Sequence, residues 1–132
     1  MHVRANPETQ PFWDHAARSQ LALPWCTTCS APFFYPRARC PRCLSAEVAW
    51  RVASGRGHVA SFVIVHRAPP GVDQQAPYVV AIVELQEGVR MMANLVEIDP
   101  TPEAVTVGMP VDVTFDPSGE LVRPLFRPGR QQ

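Results

Sequence analysis

Four cysteines in two close pairs constrain this chain more than any other feature of its sequence. Cys26 and Cys29 form the first pair and Cys40 and Cys43 the second, giving the pattern C-x2-C-x10-C-x2-C. A tight turn within each pair brings its second sulfur beside the first, and two such turns can supply four thiolates to one ion. We therefore predict one structural Zn2+ per chain, because four protein ligands leave no coordination position for a substrate.

Iron is the alternative metal for this ligand set. Rubredoxin-type sites also use four cysteines, and the letters CPRC at residues 40–43 resemble a rubredoxin knuckle. Iron would indicate an electron-transfer protein, although no flavin or nicotinamide motif accompanies the cysteines. The residues alone leave the choice of metal open.

The start of the chain favours reduced cysteines over disulfides. The segment MHVRANPETQ is polar and lacks the apolar run of a secretory signal, so we expect a cytoplasmic protein whose thiols stay reduced. No stretch approaches the roughly 20 apolar residues of a membrane span, so no membrane partner is expected.

Composition and motif positions divide the 132 residues into four segments. The prediction is mainly β, with a short N-terminal helix, a rubredoxin-like zinc ribbon and a five-stranded OB-fold barrel. The predicted segments are 1–24 (helical), 25–46 (zinc ribbon), 47–127 (barrel) and 128–132 (flexible tail).

The barrel prediction depends on five strand-like stretches in the third segment. Each is rich in β-branched or alternating apolar residues, and turn signals separate them. QEG at 86–88 and DPSGE at 116–120 indicate turns, whereas the Pro-rich 67–77 indicates a long surface loop. A small β-sandwich is the alternative. The predicted strands are 48–66 with a break at Gly55 and Gly57, 78–85, 89–98, 109–116 and 121–126.

Aromatic and basic residues cluster near the cysteines. Phe12 and Trp13 follow helical spacing, and they pack either on this chain or on a partner. The letters FFYP, residues 33–36, are too apolar for a small ribbon to bury alone. Arg37, Arg39 and Arg42 either offset the negative charge of a Zn(Cys)4 site or bind phosphates.

No set of catalytic residues is apparent. The serines lack the G-x-S-x-G context of an activated nucleophile, the cysteines are assigned to metal, and the histidines are scattered. The formal net charge is 0, which argues against nucleic-acid binding, although ribbons and OB-folds both serve that use. We therefore expect a chain without an activity of its own, with a nucleic-acid-binding module as the alternative.

The order of motifs resembles a known family. PFWDHA precedes C-x2-C and P-R-x-x-C-P-x-C, and SGRGHVASFVIVHR, PYVVAIVELQEGVRMMANL, VGMPVDVTF and PLFRP follow. This resembles the acyl-CoA-associated family, formerly a domain of unknown function, that pairs a rubredoxin-like zinc ribbon with a C-terminal OB-fold. The resemblance implies a non-catalytic subunit in a hetero-oligomer with a thiolase-fold enzyme, either a lipid-transfer-protein-like thiolase or an aldolase of steroid or aromatic degradation.

The resemblance also implies roles for individual residues. The partner would contribute the catalytic groups, and acyl-CoA would bind through the complex. Arg37 and Arg39 would lie near the CoA phosphates or the interface. The implied zinc ligands are Cys26, Cys29, Cys40 and Cys43, and the implied partner-facing residues are Phe12, Trp13, Phe33, Phe34 and Tyr35.

The sequence departs from the usual knuckle at one position in each pair. Glycine often follows the second cysteine of such a knuckle, whereas Ser30 and Leu44 occupy these positions here. The missing glycines bear on the tightness of the two turns and leave the metal prediction unchanged.

Overall fold

The computed structural model describes residues 6–67, 69–70, 76–119 and 121–129. Within these ranges β2, β1 and β3 form an antiparallel three-stranded sheet, and β4, β5, β6, β8 and β7 close into a barrel in that order. This confirms the predicted combination of a short helix, a ribbon and a five-stranded barrel. The elements are α1 (Gln10–Ala16), β1 (Ala22–Cys26), β2 (Ala31–Pro32), β3 (Val48–Val52), β4 (Arg56–Val65), β5 (Tyr78–Leu85), β6 (Arg90–Leu95), β7 (Pro110–Asp116) and β8 (Arg123–Pro128).

Helix α1 is organised by its first turn and by one buried face. The side-chain oxygen of Asn6 accepts a hydrogen bond from the backbone N–H of Thr9 (3.0 Å), which closes a turn before the helix. Pro11 lies in the first turn, where a missing N–H is tolerated. Phe12 and Ala16, four positions apart, are buried. A helix of seven residues needs this packing, because isolated helices of that length are not stable.

The barrel interior is filled by alternate residues of its strands. In β5 every second residue is buried and the residues between them are partly exposed, as expected of a strand with one face in a core. Strand β6 repeats the alternation. The buried residues of the two strands are Val79, Ala81, Val83, Leu85, Met91, Ala93 and Leu95.

Strand β8 closes the barrel. It pairs antiparallel with β7 along most of its length and parallel with β6 through the single pair Leu95 and Phe126. Phe126 is fully buried, and its carbonyl oxygen accepts a hydrogen bond from the N–H of Val96 at 2.7 Å. Both the ring and the backbone of Phe126 therefore stabilise the junction between β6 and β8 that closes the barrel.

Strand β3 differs from the prediction. We expected residues 48–66 to begin the barrel, but Val48–Val52 pairs with β1, and the barrel begins at Arg56. The break at Gly55 separates the two, since its φ of 78° is left-handed and an added Cβ would lie 2.5 Å from a methyl carbon of Val113. An alternating strand shows which face is buried but not which neighbour it pairs with.

The helix, the ribbon sheet and the barrel share one hydrophobic core. Phe12 of α1, Leu21 just before β1 and Leu23 of β1 belong to the same buried cluster as the barrel residues. A second, smaller cluster holds two cysteines and Phe33, packed against Val48. Strand β1 thus begins in the main core and ends in the cluster around the cysteines.

The chain ends differ in part from the predicted boundaries. Pro128 belongs to β8, and the N–H of Gly129 donates to the carbonyl of Pro110 at 2.8 Å, so the predicted tail begins inside the barrel. Residues 130–132 lie outside the described residues, as do residues 68 and 71–75 of the predicted loop. In the described part of the chain, no helix has the length and hydropathy needed to cross a membrane.

Candidate metal centre and aromatic groove

The four cysteine sulfurs converge on one point. Cys26 ends β1, and the others lie in the turns that follow. All four sulfur atoms lie within 4.8 Å of one another, with 3.6 Å between Cys26 and Cys43 and 3.9 Å between Cys29 and Cys40. A Zn–S bond near 2.3 Å gives a tetrahedron whose sulfurs are about 3.8 Å apart. The separations therefore fit a zinc ion held by four thiolates.

Backbone amides support the thiolate form of the buried sulfurs. The N–H of Cys29 donates to the sulfur of Cys26 at 3.3 Å, and the N–H of Arg42 donates to the sulfur of Cys40 at 3.4 Å. The first contact lowers the pKa of Cys26. Burial acts to raise the pKa of Cys40, but backbone amides of Cys43 and Arg42 lower it to about 6.

The fourth thiol shows how strongly the sulfurs of this cluster interact. The Ser45 backbone amide lowers the pKa of Cys43, but contact with the sulfur of Cys29, burial and the other two sulfurs together raise it to about 12. Four thiolates in contact repel one another, so the last one stays protonated unless positive charge is present. A divalent ion at their centre would supply that charge, and the donor set is the one Zn2+ prefers.

Both knuckles adopt the left-handed turn without glycine. Ser30 has a φ of 58° and Leu44 a φ of 65°. Both turns therefore form without glycine, at a cost of about 1–2 kcal/mol per residue for the left-handed backbone. Having Ser30 and Leu44 in place of glycine therefore adds backbone strain, but the four sulfurs still lie close together.

The three arginines of the ribbon have different surroundings. Arg42 donates to the carbonyls of Pro32 (3.2 Å) and Ala31 (3.3 Å), and contact with Cys29 and the charge of the neighbouring sulfurs raise its pKa. Arg39 donates to the carbonyl of Leu44 at 3.0 Å. Arg37 is exposed and makes no hydrogen bond with another described residue. Arg42 thus matches the predicted charge-offsetting role.

The five aromatic residues expected to face a partner separate into two groups. Phe12 and Phe33 are only 5% and 2% exposed, because Phe12 fills the main core and Phe33 packs beside the buried cysteines. Their burial leaves little ring surface for a partner in this conformation, and their contact role stays a prediction. Trp13 and Phe34 are partly exposed, and Tyr35 is 57% exposed.

The more exposed rings line a groove between the ribbon, α1 and the barrel. Phe12 lies edge-on to Trp13, and their ring centroids are 5.0 Å apart. The ring centroids of Phe12 and Phe34 are 5.8 Å apart, and those of Phe34 and Tyr35 are 5.4 Å apart. We call the cavity beside this row, of about 640 Å³, the aromatic groove. Its other wall includes Met92 of β6, and the full lining is Thr9, Phe12, Trp13, Phe34, Tyr35, Pro36, Ile82, Arg90, Met91, Met92, Ala93, Asn94, Arg123, Pro124 and Leu125.

The rim charges of the aromatic groove are paired. Arg90 lies 3.1 Å from the carboxylate of Glu84, and Arg123 lies 3.0 Å from that of Asp116. Hydrogen bonds from Ser118 lower the pKa of Asp116, and the contact with Arg123 lowers it further. The groove therefore presents an apolar floor with a polar but nearly neutral edge. Sequence reasoning missed its barrel wall, although Met92 occupies an outward position of β6 and is 67% exposed.

The two halves of the chain match two family models. Residues 13–49 match the ChsH2 rubredoxin-like zinc ribbon domain, and residues 50–116 match the ChsH2 C-terminal OB-fold domain. The chain belongs to the ChsH2 family. Its ribbon is accordingly a zinc ribbon, its barrel is an OB-fold, and the predicted family is confirmed.

Individual relatives extend this comparison. A "Probable enoyl-CoA hydratase alpha subunit" from Thermomonospora curvata is 38% identical over 92% of this chain, which spans 38% of that protein's length. A "DUF35 domain-containing scaffold protein" from Methanocaldococcus jannaschii is 41% identical over 68% of this chain and 63% of that protein. Among solved structures, a chain of an "Ltp2-ChsH2(DUF35) aldolase" is 34% identical with a TM-score of 0.85, covering 96% of this chain and 98% of that one.

Proposed function

We propose that this chain is a non-catalytic, zinc-stabilised accessory subunit of a thiolase-fold enzyme, a lipid-transfer-protein-like thiolase or a side-chain-cleaving aldolase, that acts on acyl-CoA. The observation that carries the proposal is the similarity over nearly the whole chain to a component of the Ltp2-ChsH2(DUF35) aldolase. Relatives named for a hydratase subunit and for a scaffold carry the same module. Proteins named for a hydratase, a scaffold and an aldolase thus carry similar modules. This supports a structural role that these proteins have in common, and not the catalysis of one particular reaction.

The zinc site supports the same role. Cys26, Cys29, Cys40 and Cys43 would hold the ion, which would cross-link the two knuckles and supply no reactive coordination position. In the described part of the chain, these four residues are the one group of Cys, His, Asp and Glu side chains close enough to hold a metal. Reactive groups would therefore belong to the partner.

We further propose that the aromatic groove faces the partner's active site and helps form the acyl-CoA site. Trp13, Phe34 and Tyr35 offer partly exposed aromatic area, which is enriched at protein interfaces. Arg37 is the better candidate for a CoA phosphate contact because its guanidinium makes no hydrogen bond with another described residue. Arg39 would have to release the Leu44 carbonyl, or to use its remaining N–H groups.

Co-expression tests the proposal directly. A thiolase-fold protein co-expressed with the chain should form a stable hetero-oligomer with it and show an acyl-CoA activity that neither protein shows alone. Tyr35→Ala should weaken the complex, whereas Tyr78→Ala, a partly exposed residue of β5 outside the groove lining, serves as the matched control. A thiolase-fold enzyme that is stable and fully active without this chain would overturn the proposal.

The nucleic-acid alternative has less support. Two of the three ribbon arginines, Arg39 and Arg42, are engaged with backbone carbonyls, and the net charge is 0. Electrostatic binding to single strands should be strongest at low salt and fall steeply as salt rises. Salt-sensitive binding of an oligonucleotide, lost in Arg37→Ala, would favour this alternative over the subunit proposal.

A further inference from the structure

Strand β3 forms one outer edge of the ribbon sheet. The strand order is β2, β1, β3, so β3 pairs with β1 on one side and with no described strand on the other. The pairing with β1 is antiparallel and keeps one register along the whole of β3. In an antiparallel pair, every second residue directs its N–H and C=O away from the neighbouring strand. Part of the β3 backbone therefore faces outward from the sheet.

One hydrogen bond fixes which residues of β3 face outward. The N–H of Ala53 donates to the carbonyl of Leu21 at 2.7 Å, so Ala53 faces β1. Alternation then directs the N–H and C=O of Trp50 and Val52 away from β1. Pro24 lies opposite Trp50, and its carbonyl accepts from the residue after β2 at 3.1 Å instead of bonding to β3. We call the outward N–H and C=O groups of Trp50 and Val52 the open edge.

The backbone on either side of the open edge is hydrogen bonded within the chain. The N–H of Val48 donates to the carbonyl of Ala46 at 2.9 Å. The N–H of Ser54 donates to the carboxylate of Glu87 at 2.9 Å. Between these two positions, no group of the open edge hydrogen bonds to another described residue. Backbone N–H and C=O groups are strong hydrogen-bonding groups, so the open edge is left for water or for another molecule.

The other edge of the same sheet is protected, whereas the open edge is not. Natural proteins protect free edges with proline, charge, bulges or very short strands. Strand β2 has two residues, and the carbonyl of Pro32 accepts from the guanidinium of Arg42 at 3.2 Å. Strand β3 has no proline and no bulge, and its charged side chain lies over β1, because the guanidinium carbon of Arg51 is 4.5 Å from the centroid of the Trp25 ring. Val52 is 54% exposed, so the open edge is accessible.

Another extended strand is the ligand that fits the open edge. Its own N–H and C=O groups would repeat at the same spacing and bond to both open residues. A second copy of this chain fits poorly. The register that bonds Trp50 of one copy to Val52 of the other, and the reverse, sets the two Arg51 residues directly opposite each other, where like charges are destabilising. A strand of a different chain avoids this repulsion.

We propose that an extended segment of the enzyme subunit pairs with the open edge and adds a fourth strand to the ribbon sheet. This inference rests on the proposed function for the existence of that subunit. It adds a contact separate from the aromatic groove, whose lining includes no residue of β3. Cys26 pairs with Val48 in this sheet, so the metal site supports the strand that carries the open edge.

Amide hydrogen exchange resolved to single residues tests the pairing directly. In the free chain the amides of Trp50 and Val52 should exchange faster than those of Ala49 and Arg51, which face β1. In the complex with a co-expressed thiolase-fold protein, exchange at Trp50 and Val52 should slow at least about tenfold. Unchanged exchange at both amides in a complex that forms would overturn the open-edge contact while leaving the proposed function standing. Slow exchange at both amides in the free chain would also overturn it, and a dependence on chain concentration would assign the edge to a second copy.

A pair of variants at Val52 separates backbone pairing from side-chain contact. Val52→Pro removes one outward N–H, which an edge strand tolerates, so the free variant should retain zinc and its β-sheet circular dichroism. It should weaken the complex about tenfold, the effect of one buried hydrogen bond left unmade. Val52→Thr keeps the N–H and the branched shape and should bind within about twofold of wild type.

The outcomes separate the two proposals. Wild-type affinity in Val52→Pro, or an equal loss in Val52→Pro and Val52→Thr, would overturn backbone pairing at the open edge. Should Val52→Pro fail to fold, the exchange measurement on the wild-type chain still decides. Failure of the wild-type chain to form the complex would instead overturn the proposed function.

Discussion

Gly57 is the glycine at which the barrel is least able to accept a side chain. It lies in β4 between two neighbours, paired with Leu85 of β5 and Val111 of β7. A Cβ added at this position would overlap the carbonyl oxygen of Glu84 and lie 3.1 Å from the Cα of Leu85. These atoms belong to the backbone of an adjacent strand, so no change of rotamer can make room.

The expected effect of Gly57→Ala is a net destabilisation of about 2 kcal/mol. Overpacking in a rigid region costs about 1–3 kcal/mol, and the upper part of that range applies because β5 must shift as a unit. Alanine reduces the freedom of the unfolded chain, which returns about 0.4–1 kcal/mol. The result is a large fraction of the roughly 5–15 kcal/mol that separates folded from unfolded domains.

Urea unfolding followed by circular dichroism measures this effect. The midpoint should fall in Gly57→Ala while the slope stays at the wild-type value, because the same surface becomes exposed. Gly119→Ala is the matched control, since the nearest atom to its added Cβ is the carbonyl oxygen of Leu121 at 3.8 Å, an ordinary contact. A Gly57→Ala protein within about 0.5 kcal/mol of wild type would refute the close approach of β4 and β5.

Three further predictions concern the ribbon and one ion pair. Cys40→Ser should lose most of its zinc while the β-sheet circular dichroism of the barrel persists; unchanged zinc content would contradict the metal site. Arg42→Ala should lose zinc to a chelator faster than wild type, whereas Arg37→Ala should match wild type, because Arg42 but not Arg37 donates to the backbone of β2, the strand that follows the first cysteine pair. Hydrogen bonds from Ser118 help to lower the pKa of Asp116 below 3.8, so the stability that Asp116 provides should be complete above that pH and lost as the pH falls through the lower folded value. The difference in unfolding free energy from Asp116→Asn should be no more than about 1 kcal/mol, and a difference that grows on acidification would contradict the assignment.

The sequence was most informative where a short pattern determines the type of ligand site or the position of a turn. Two C-x2-C pairs bring the sulfurs together whatever surrounds them, and the QEG turn ends at Gly88, whose φ of 95° is left-handed. The β-branched, apolar run at residues 78–85 predicted a strand, and β5 spans Tyr78–Leu85. These features depend on residues close together in the chain.

Features that depend on distant residues could not be read in the same way. Strand β3 alternates like a barrel strand, and only the structure shows that it pairs with β1. Phe12 and Phe33 looked like exposed contact residues because nothing in their neighbourhood indicates the core that covers them. The aromatic groove requires β6 and β8 to meet α1, which no short pattern encodes.

Strand β1 carries a buried core residue and a metal ligand on one short piece of chain. Leu23 lies in the main core and Cys26 begins the metal site, three residues further along an extended strand, or about 10 Å at 3.3 Å per residue. Inserting one residue between them would turn the cysteine to the opposite face of the sheet. Changes in length should therefore be tolerated in the exposed residues 37–39 but not within β1 or the β2 strand that pairs with it. Deep mutational scanning with single-residue insertions would show this as a contrast between β1 and residues 37–39.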